Sequence, residues 1–526
     1  MQQDNSLVEY GARRAIVTIT AILCALLEIV DTTIVNVALN DMKGNLGATL
    51  TEIGWVITAY AIGNVIIVPM TSWLSQQFGR RNYFAASVMI FTIFSFLCGN
   101  ATGIWELVAF RFLQGIGGGA LLVTSQTIIT ESYPIEKRGM AQAFYGLGVI
   151  IGPTLGPPLG GYIVDHFSWP YIFYINIPIG IAATLLTLQF IKSPKFSEKT
   201  LTKHIDFLGI ALLAIAIGSL QYVLEKGHDD DWFNNNAIIL LSIAAVLGIF
   251  FFIWRELSYK NPIVELRVLK NGNLRVGTIL SFLLGFGLYG STFIIPLYTQ
   301  SILGWTAFDA GMLFIPSGIA TAFMMPVIGK LLQRGVKQQY LVAGGLIIFF
   351  IYSFWASSIL TDDTPEKAFW WLLILRGFGL SLLFIPITTL ALSTLHGQQI
   401  GQGAAFTGMM RQLGGSFGVA VITTFLARQN MVHRVDLVSK LDVSNPMVQQ
   451  RVSFMQRAFQ GKGMAPDVAL KSAYKALDFT VSKQAAVLSY MDAFLYLGLL
   501  FLICVPFMLL VKGNRKKKID LSEAMH

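Results

Sequence analysis

The 526-residue sequence is 54% hydrophobic and only 13% charged, with a mean hydropathy of +0.62. Soluble chains carry about 25% charged residues, so this one cannot cover a water-facing surface of its size; a soluble enzyme, a disordered chain and a nucleic-acid binder are excluded together. The balance of 38 Lys+Arg against 29 Asp+Glu, net +9, reads as a topology signal for a membrane protein.

The polar segment 1–14 ends in Arg13 and Arg14 and leads into an apolar run at 15–39. That run is too long for a cleaved signal and is followed by more, so it reads as a retained first helix. Runs of about 20 apolar residues cross a hydrocarbon core of about 30 Å as helices. Fourteen are predicted: 15–39, 52–74, 82–100, 104–131, 141–165, 171–191, 206–224, 236–255, 274–300, 308–332, 340–360, 367–393, 404–428 and 487–511. The expected fold is an all-α membrane protein with both termini on one side. With a cytoplasmic N-terminus, the inside segments hold twenty-three lysines and arginines and the short outside loops only Lys43, Lys226 and Lys367. That asymmetry places both termini, including the basic tail 512–526, in the cytoplasm.

A charge in mid-span costs about 2.5–3.5 kcal/mol on insertion scales, so each one calls for a reason. Glu28 and Asp31 lie three residues apart in span one, on one helical face. Arg111 in span four falls at the depth of Asp31 within a few ångströms, counting about 1.5 Å per residue. A proton relay, a structural ion pair holding the two spans together, and an anion-binding or anchoring arginine all fit this placement. Burial disfavours a charged carboxyl and a nearby arginine favours it, so opposing effects bring titration within physiological reach.

Span five carries Gly148, Gly152, Gly156 and Gly160 at four-residue spacing, with Pro153, Pro157 and Pro158 beside them. The bare stripe permits close backbone approach, and the prolines remove helix hydrogen bonds and invite a bend; a moving gate needs both, and close packing alone accounts for the glycines. Cys24, Cys98 and Cys504 lie in apolar runs and read as small buried hydrophobes. His166, His204, His228, His396 and His433 are scattered among loops, with no pairing suited to a metal.

The sequence echoes itself. Pro69, Leu74 and Gly79 at the end of span two recur as Pro326, Leu331 and Gly335 at the end of span ten, and Arg111 with Gly115 recurs more weakly as Arg376 with Gly379. The echo maps a first bundle, 15–191, onto a second, 274–511, and leaves spans 206–255 as an insert. Repeated halves suit a transporter that rocks one bundle against the other. Arg376 lies inside span twelve, and Arg411 sits near enough to the inner end of span thirteen to snorkel. Asp206 and Asp309 read as helix N-caps, and Asp492 as interfacial. The loop 429–486 is too polar to span. Helix starts at Pro446 and Pro466, with stripes Val448, Val452, Met455, Phe459 and Leu470, Tyr474, Leu477, Val481, predict an outside helical hairpin with an apolar seam. It packs on itself or lies on lipid.

These motifs resemble those of the major facilitator transporters, in the fourteen-helix drug:proton antiporter group and its EmrB-like branch. Val30, Asp31, Asn36 and Leu39 match the group's span-one motif; Arg111, Gln114, Gly115 and Gly117 match the span-four motif linked to proton transfer; Gly148 to Gly161 matches the antiporter motif. Trp169, Phe173, Asn176, Pro178 and Gly180, and Asn261, Pro262, Glu265 and Leu266, also fit the branch. The resemblance implies two pseudo-symmetric six-helix bundles plus two inserted helices in a bacterial inner membrane. It implies proton coupling through Asp31 and Arg111, with Asn36 and Gln114 lying in the same motifs; the mid-span placement of Glu28 adds it to the proton-coupling candidates, and that of Arg376 and Arg411 adds them, with Asn36 and Gln114, to a cavity or charge relay. It also implies gating by Gly148, Gly152, Pro153, Gly156, Pro157 and Gly160, and a cytoplasmic gate loop at Gly79, Arg80 and Arg81. In that loop Ser72 replaces a family glycine and Gln76 the aspartate thought to lock the halves, so other contacts must close this gate. Glu28 is an acid outside the motif.

The expected function is proton-driven export of amphipathic compounds. There is no P-loop to use ATP, and no cofactor is expected beyond the proton gradient. The partners implied are drug-like small molecules, the bilayer and, through the loop 429–486, a periplasmic adaptor leading to an outer-membrane channel. A proton-coupled transporter of one metabolite shares every feature and is the alternative. An embedded enzyme or sensor needs a clustered catalytic set or an output domain, and the sequence has neither.

Overall fold

The computed structural model describes residues 7–194, 205–259, 261–442 and 444–510. The 512–526 tail, the start of the 1–14 segment, His204 and the basic positions Lys195, Lys199, Lys203 and Lys260 lie outside the described residues. Among the described residues, regular structure is entirely helical. The first half comprises α1 (Gly11–Asn45), α2 (Leu50–Phe78), α3 (Arg80–Gly99), α4 (Ile104–Ser132), α5 (Arg138–His166), and the pair α6 (Tyr171–Tyr174) and α7 (Asn176–Phe190). Two helices follow, α8 (Phe207–Lys226) and α9 (Asn236–Ser258). The second half comprises α10 (Gly272–Ser301), α11 (Ala307–Met312), α12 (Phe314–Gln333), α13 (Gln338–Ile359), α14 (Glu366–Leu392), α15 (Gln398–Ser439), α16 (Pro446–Gly461) and α17 (Pro466–Leu510).

Thirteen of these segments are long and apolar enough to cross a membrane. The run expected at 404–428 lies within α15, whose 42 residues carry enough glutamine, glycine and arginine to keep it outside that set. Side chains such as Leu240, Ile319, Phe323 and Phe507 are largely exposed. A surface this apolar is solvated by lipid; the chain is a multi-pass membrane protein.

The halves repeat their packing. In the first, α1 packs on α5, α2 on α4, and α3 on both α4 and α7; in the second, α10 packs on α15, α12 on α14, and α13 on both α14 and α17. The halves meet where α5 lies along α12 and α15 crosses α2. Helix α8 fills the edge between α2 and α15, and α9 leans mainly on α8. Asp206 ties the inserted pair together: it caps α8 by accepting from Gly209 N at 2.9 Å and grips Arg255 of α9 at 3.1 and 3.2 Å. The expected cap at Asp309 is instead Thr306, whose Oγ1 accepts from Asp309 N and donates to the Asp309 carboxylate at 2.7 Å. Asp309 thus sits in the first turn, where its charge favours the helix N-terminus.

The polar segment 429–486 holds the expected helical hairpin, α16 packed on the start of α17, but it is continuous with the helices that flank it. Helix α15 runs on to Ser439, and α17 starts at Pro466 and becomes the last span, 45 residues without a break. At about 1.5 Å per residue α15 is about 63 Å long, twice the hydrocarbon thickness, so its far end projects from the membrane with the start of α17 and all of α16. His433 of α15 and Asp492 of α17 meet at 2.8 Å, and Arg434 and Asp478 at 2.8 Å. On α16, Val448, Val452, Met455 and Phe459 do turn inward, but on α17 the buried face is Ala469, Ala473 and Val481, while Leu470 and Tyr474 are exposed. The alanine stripe lets the two helices close up, and the bulky residues one position round are left outside.

Candidate functional site

The carboxylate of Asp31 is fully buried, and so is the guanidinium facing it: exposures are 0% for Asp31 and 1% for Arg111. Arg111 Nη1 donates to Asp31 Oδ2 at 2.5 Å and to Gln114 Oε1 at 2.8 Å, while Arg111 Nε donates to Val56 O at 3.2 Å. Gln114 Nε2 and Asn176 Nδ2 both donate to Asp31 Oδ1, at 3.0 and 2.9 Å. The Tyr60 ring lies under the guanidinium, 4.1 Å from its carbon. Four helices, α1, α2, α4 and α7, therefore converge on one acid. Glycines allow it: a Cβ at Gly115 or Gly119 would run into the backbone of Tyr60 or Asn64 on α2, and one at Gly117 would strike Phe91 N on α3.

Glu28 lies about a turn deeper in a separate pocket. Its Oε1 accepts from Asn64 Nδ2 at 2.8 Å and its Oε2 from Leu122 N at 3.1 Å. Tyr60 and Asn64, one turn apart on α2, stand between the two acids. Equal depth allows the pairing of Asp31 with Arg111, and Gln114 follows one turn along α4; Asn176, Tyr60 and Asn64 carry no charge or spacing that marks them in the sequence, although Asn176 lies in a motif shared with the family.

Other sequence candidates do not join this cluster. Asn36 is exposed, and its amide reaches only Thr32 O of its own helix, at 3.5 Å. Arg376 is buried in the second half and bonded by neutral oxygens: Ser291 Oγ at 2.8 Å, Ser317 Oγ at 3.2 Å, Leu288 O at 3.3 Å and Thr292 Oγ1. It answers to Arg111 in position, but a serine hydroxyl of α10 stands where α1 offers Asp31. Among the described residues, this buried acid–base pair has no counterpart in the second half. Arg411 does not snorkel. It is 3% exposed because α15 begins at Gln398, setting the residue about 20 Å along the helix.

The glycine ladder of α5 faces α1: Gly148 meets Ile22, Gly152 meets Ile29, Gly156 meets Thr33 and Gly160 meets Ile34. The opposite edge faces the second half, where Pro157 and Pro158 lie against Gly311 and Thr154 against Gly318. Pro153 is buried within the helix. Helix α5 thus touches both sides of the joint.

On the face that carries the gate loop, Gly79 takes φ +80 between α2 and α3, a left-handed conformation that favours glycine. Arg80 forms a buried two-pronged pair with Glu131 of α4, and Arg81 N donates to Ser193 Oγ at 3.1 Å. Both contacts stay within the first half. The halves are instead joined by Gln398 Nε2 donating to Gln76 Oε1 at 2.6 Å, and by Arg138 Nη1 donating to Leu395 O at 3.3 Å. Gln76, the residue in place of the family aspartate, thus bridges the halves through an amide hydrogen bond. Cysteines replacing Gln76 and Gln398, in protein lacking Cys24, Cys98 and Cys504, should be bridged by a short bifunctional thiol reagent, and the bridge should stop transport in proteoliposomes. Unimpeded transport by the bridged protein would show that this face need not open.

Comparison with known proteins gives a consistent picture. The Major Facilitator Superfamily profile matches residues 21–419. The chain is 34% identical over 469 residues to the multidrug export protein EmrB of Escherichia coli strain K12, covering 89% of this chain and 90% of that one. It is 33% identical over 506 residues to the fatty acid resistance protein FarB of Neisseria gonorrhoeae, covering 95% and 97%. Among solved structures, the human organic anion transporter MFSD10 superposes with a TM-score of 0.58 at 15% identity, covering 94% of this chain and 100% of that one. The proton:xylose symporter XylE superposes with a TM-score of 0.56 at 15% identity, covering 94% and 96%. These two show a shared fold.

Proposed function

The chain belongs to the Major Facilitator Superfamily, and on that premise we propose that it exports amphipathic drug-like compounds across the bacterial inner membrane in exchange for protons. The observation that carries this reading is the Asp31 node. A carboxylate is held between one buried cation and two amide donors, on a helix that packs along the gate-like α5. Losing the Asp31 charge leaves Arg111 uncompensated, so proton occupancy must change how α1, α4 and α7 hold together. That links protonation to helix packing, as alternating access by rocking halves requires. The multidrug and fatty-acid resistance names of the relatives support cargo with an apolar body.

One proton moving inward releases about 2.3 kcal/mol per 100 mV and about 1.4 kcal/mol per pH unit, enough for a cargo gradient of ten- to a hundredfold. The charge asymmetry favours a cytoplasmic Gln76–Gln398 face; α15 starts there, so its projecting end and α16 lie in the periplasm. The projection, stiffened by the His433–Asp492 and Arg434–Asp478 pairs, is a platform on which a periplasmic adaptor can dock.

The test is transport in proteoliposomes under an imposed proton gradient, with a panel of dyes and drugs. Expected is cargo movement opposite to the protons, abolished by a protonophore. Transport of one metabolite only, or of cargo with the protons, would replace this reading with the narrow-specificity alternative.

A further inference from the structure

Three arginines lie in mid-span, and two are accounted for: Arg111 by Asp31, and Arg376 by four neutral oxygens. Arg411 is not. It sits where the halves meet, 3% exposed, with Nη2 donating to Tyr145 Oη of α5 at 3.3 Å and the guanidinium carbon 5.2 Å from the Phe384 ring centroid. Its Nη1 is buried and has no hydrogen-bond partner among the described residues. No carboxylate there lies within ion-pairing distance of it; Glu28 is near enough for their charges to act on each other, but both Glu28 oxygens are already bonded, to Asn64 and Leu122 N. A buried charged donor left unbonded by protein is costly and calls for a partner.

We propose that Arg411 is the anion subsite of the cargo path, and that this protein takes amphipathic carboxylates in their ionised form. The inference rests on reading the space between the halves as that path. A planar carboxylate fits the guanidinium fork and can take the free Nη1. The rings of Tyr145, Phe384 and Tyr289, the last packed against Gly415 one turn along α15, surround the guanidinium with apolar faces that parting of the halves would present to an apolar body. Charge movement agrees: a proton entering and an anion leaving both run down an inside-negative potential. A permanently cationic amphipath would meet the unpaired guanidinium as a like charge.

The test is equilibrium binding to the full chain in nanodiscs, using naphthoate, methyl naphthoate and naphthyltrimethylammonium, with binding to empty nanodiscs subtracted. The wild-type protein should bind naphthoate at least tenfold more tightly than its methyl ester, and the cation most weakly. Arg411→Gln should remove that tenfold preference while leaving the ester within twofold. Equal binding of acid and ester by the wild-type protein overturns the proposal without reliance on any variant. So does an Arg411→Gln protein that loses acid and ester alike, since that pattern belongs to a structural arginine. Because no gradient is applied, an acid preference without uphill transport would fail the export reading and leave the subsite standing.

Discussion

Replacing Asp31 by asparagine is expected to abolish proton-driven transport while the protein still inserts and folds. Asparagine keeps an oxygen for Gln114 and Asn176 but cannot neutralise Arg111. Removing one partner of a buried pair costs about 3–5 kcal/mol, so the variant should also melt at a lower temperature. A purely structural pair predicts that loss too, and a second substitution separates the roles. Asp31→Asn with Arg111→Gln removes both charges and should recover most of the stability, because a neutral hydrogen-bonded cluster replaces an orphaned cation. Transport should stay at background, since no titratable group remains at the node. If the double variant regains gradient-driven transport along with its stability, the pair merely holds the helices.

The glycine ladder gives the second large effect, and it should be graded along α5. A Cβ at Gly148 would come no closer than 3.3 Å to Ile22, which a small adjustment absorbs. At Gly152 it would overlap Ile29, and at Gly156 it would overlap Thr33 Oγ1 and come within 2.8 Å of Thr33 Cβ. Thr33 cannot turn away easily: β-branched side chains are stiff, and its hydroxyl is bonded to Ile29 O at 3.0 Å. Overpacking costs about 1–3 kcal/mol. Here it would also wedge α5 away from α1 toward Gly311 and Gly318 of the other half. Gly148→Ala should therefore transport within about twofold of wild type, a cost below 1 kcal/mol, whereas Gly156→Ala should lose at least tenfold, about 1.4 kcal/mol or more. Equal activity in the two variants would mean that the α1–α5 contact does not move during transport.

Much of the fold was legible because lipid imposes a simple code: apolar runs of fixed length, with charge marking the sides. That code gave the helix order and brought Asp31 and Arg111 to one depth. Helical rotation decided what it missed. Asn36 follows Asp31 by five residues, which turns it about 140° round α1, so a shared motif did not bring a shared site. Asn176 reaches Asp31 because α7 starts there, after the short α6, a break that hydropathy does not register. The sequence puts Arg411 near the membrane edge because hydropathy marks only the apolar part of α15; the polar turns from Gln398 onward extend the helix and carry the arginine inward. Gln76 with Gln398 is a pairing between halves more than 300 residues apart, and neither glutamine is distinctive by itself.

Coupling depends on a buried acid in α1 giving up its proton when cargo binds. The most direct measurement is proton release by the purified protein in weakly buffered solution with a pH-indicating dye, on adding a transported compound. Wild-type protein should release protons in proportion to cargo bound, Glu28→Gln should still release them, and Asp31→Asn should release none while binding the same cargo. Undiminished release from Asp31→Asn, or none from wild-type protein that still drives cargo uphill in vesicles, would contradict it.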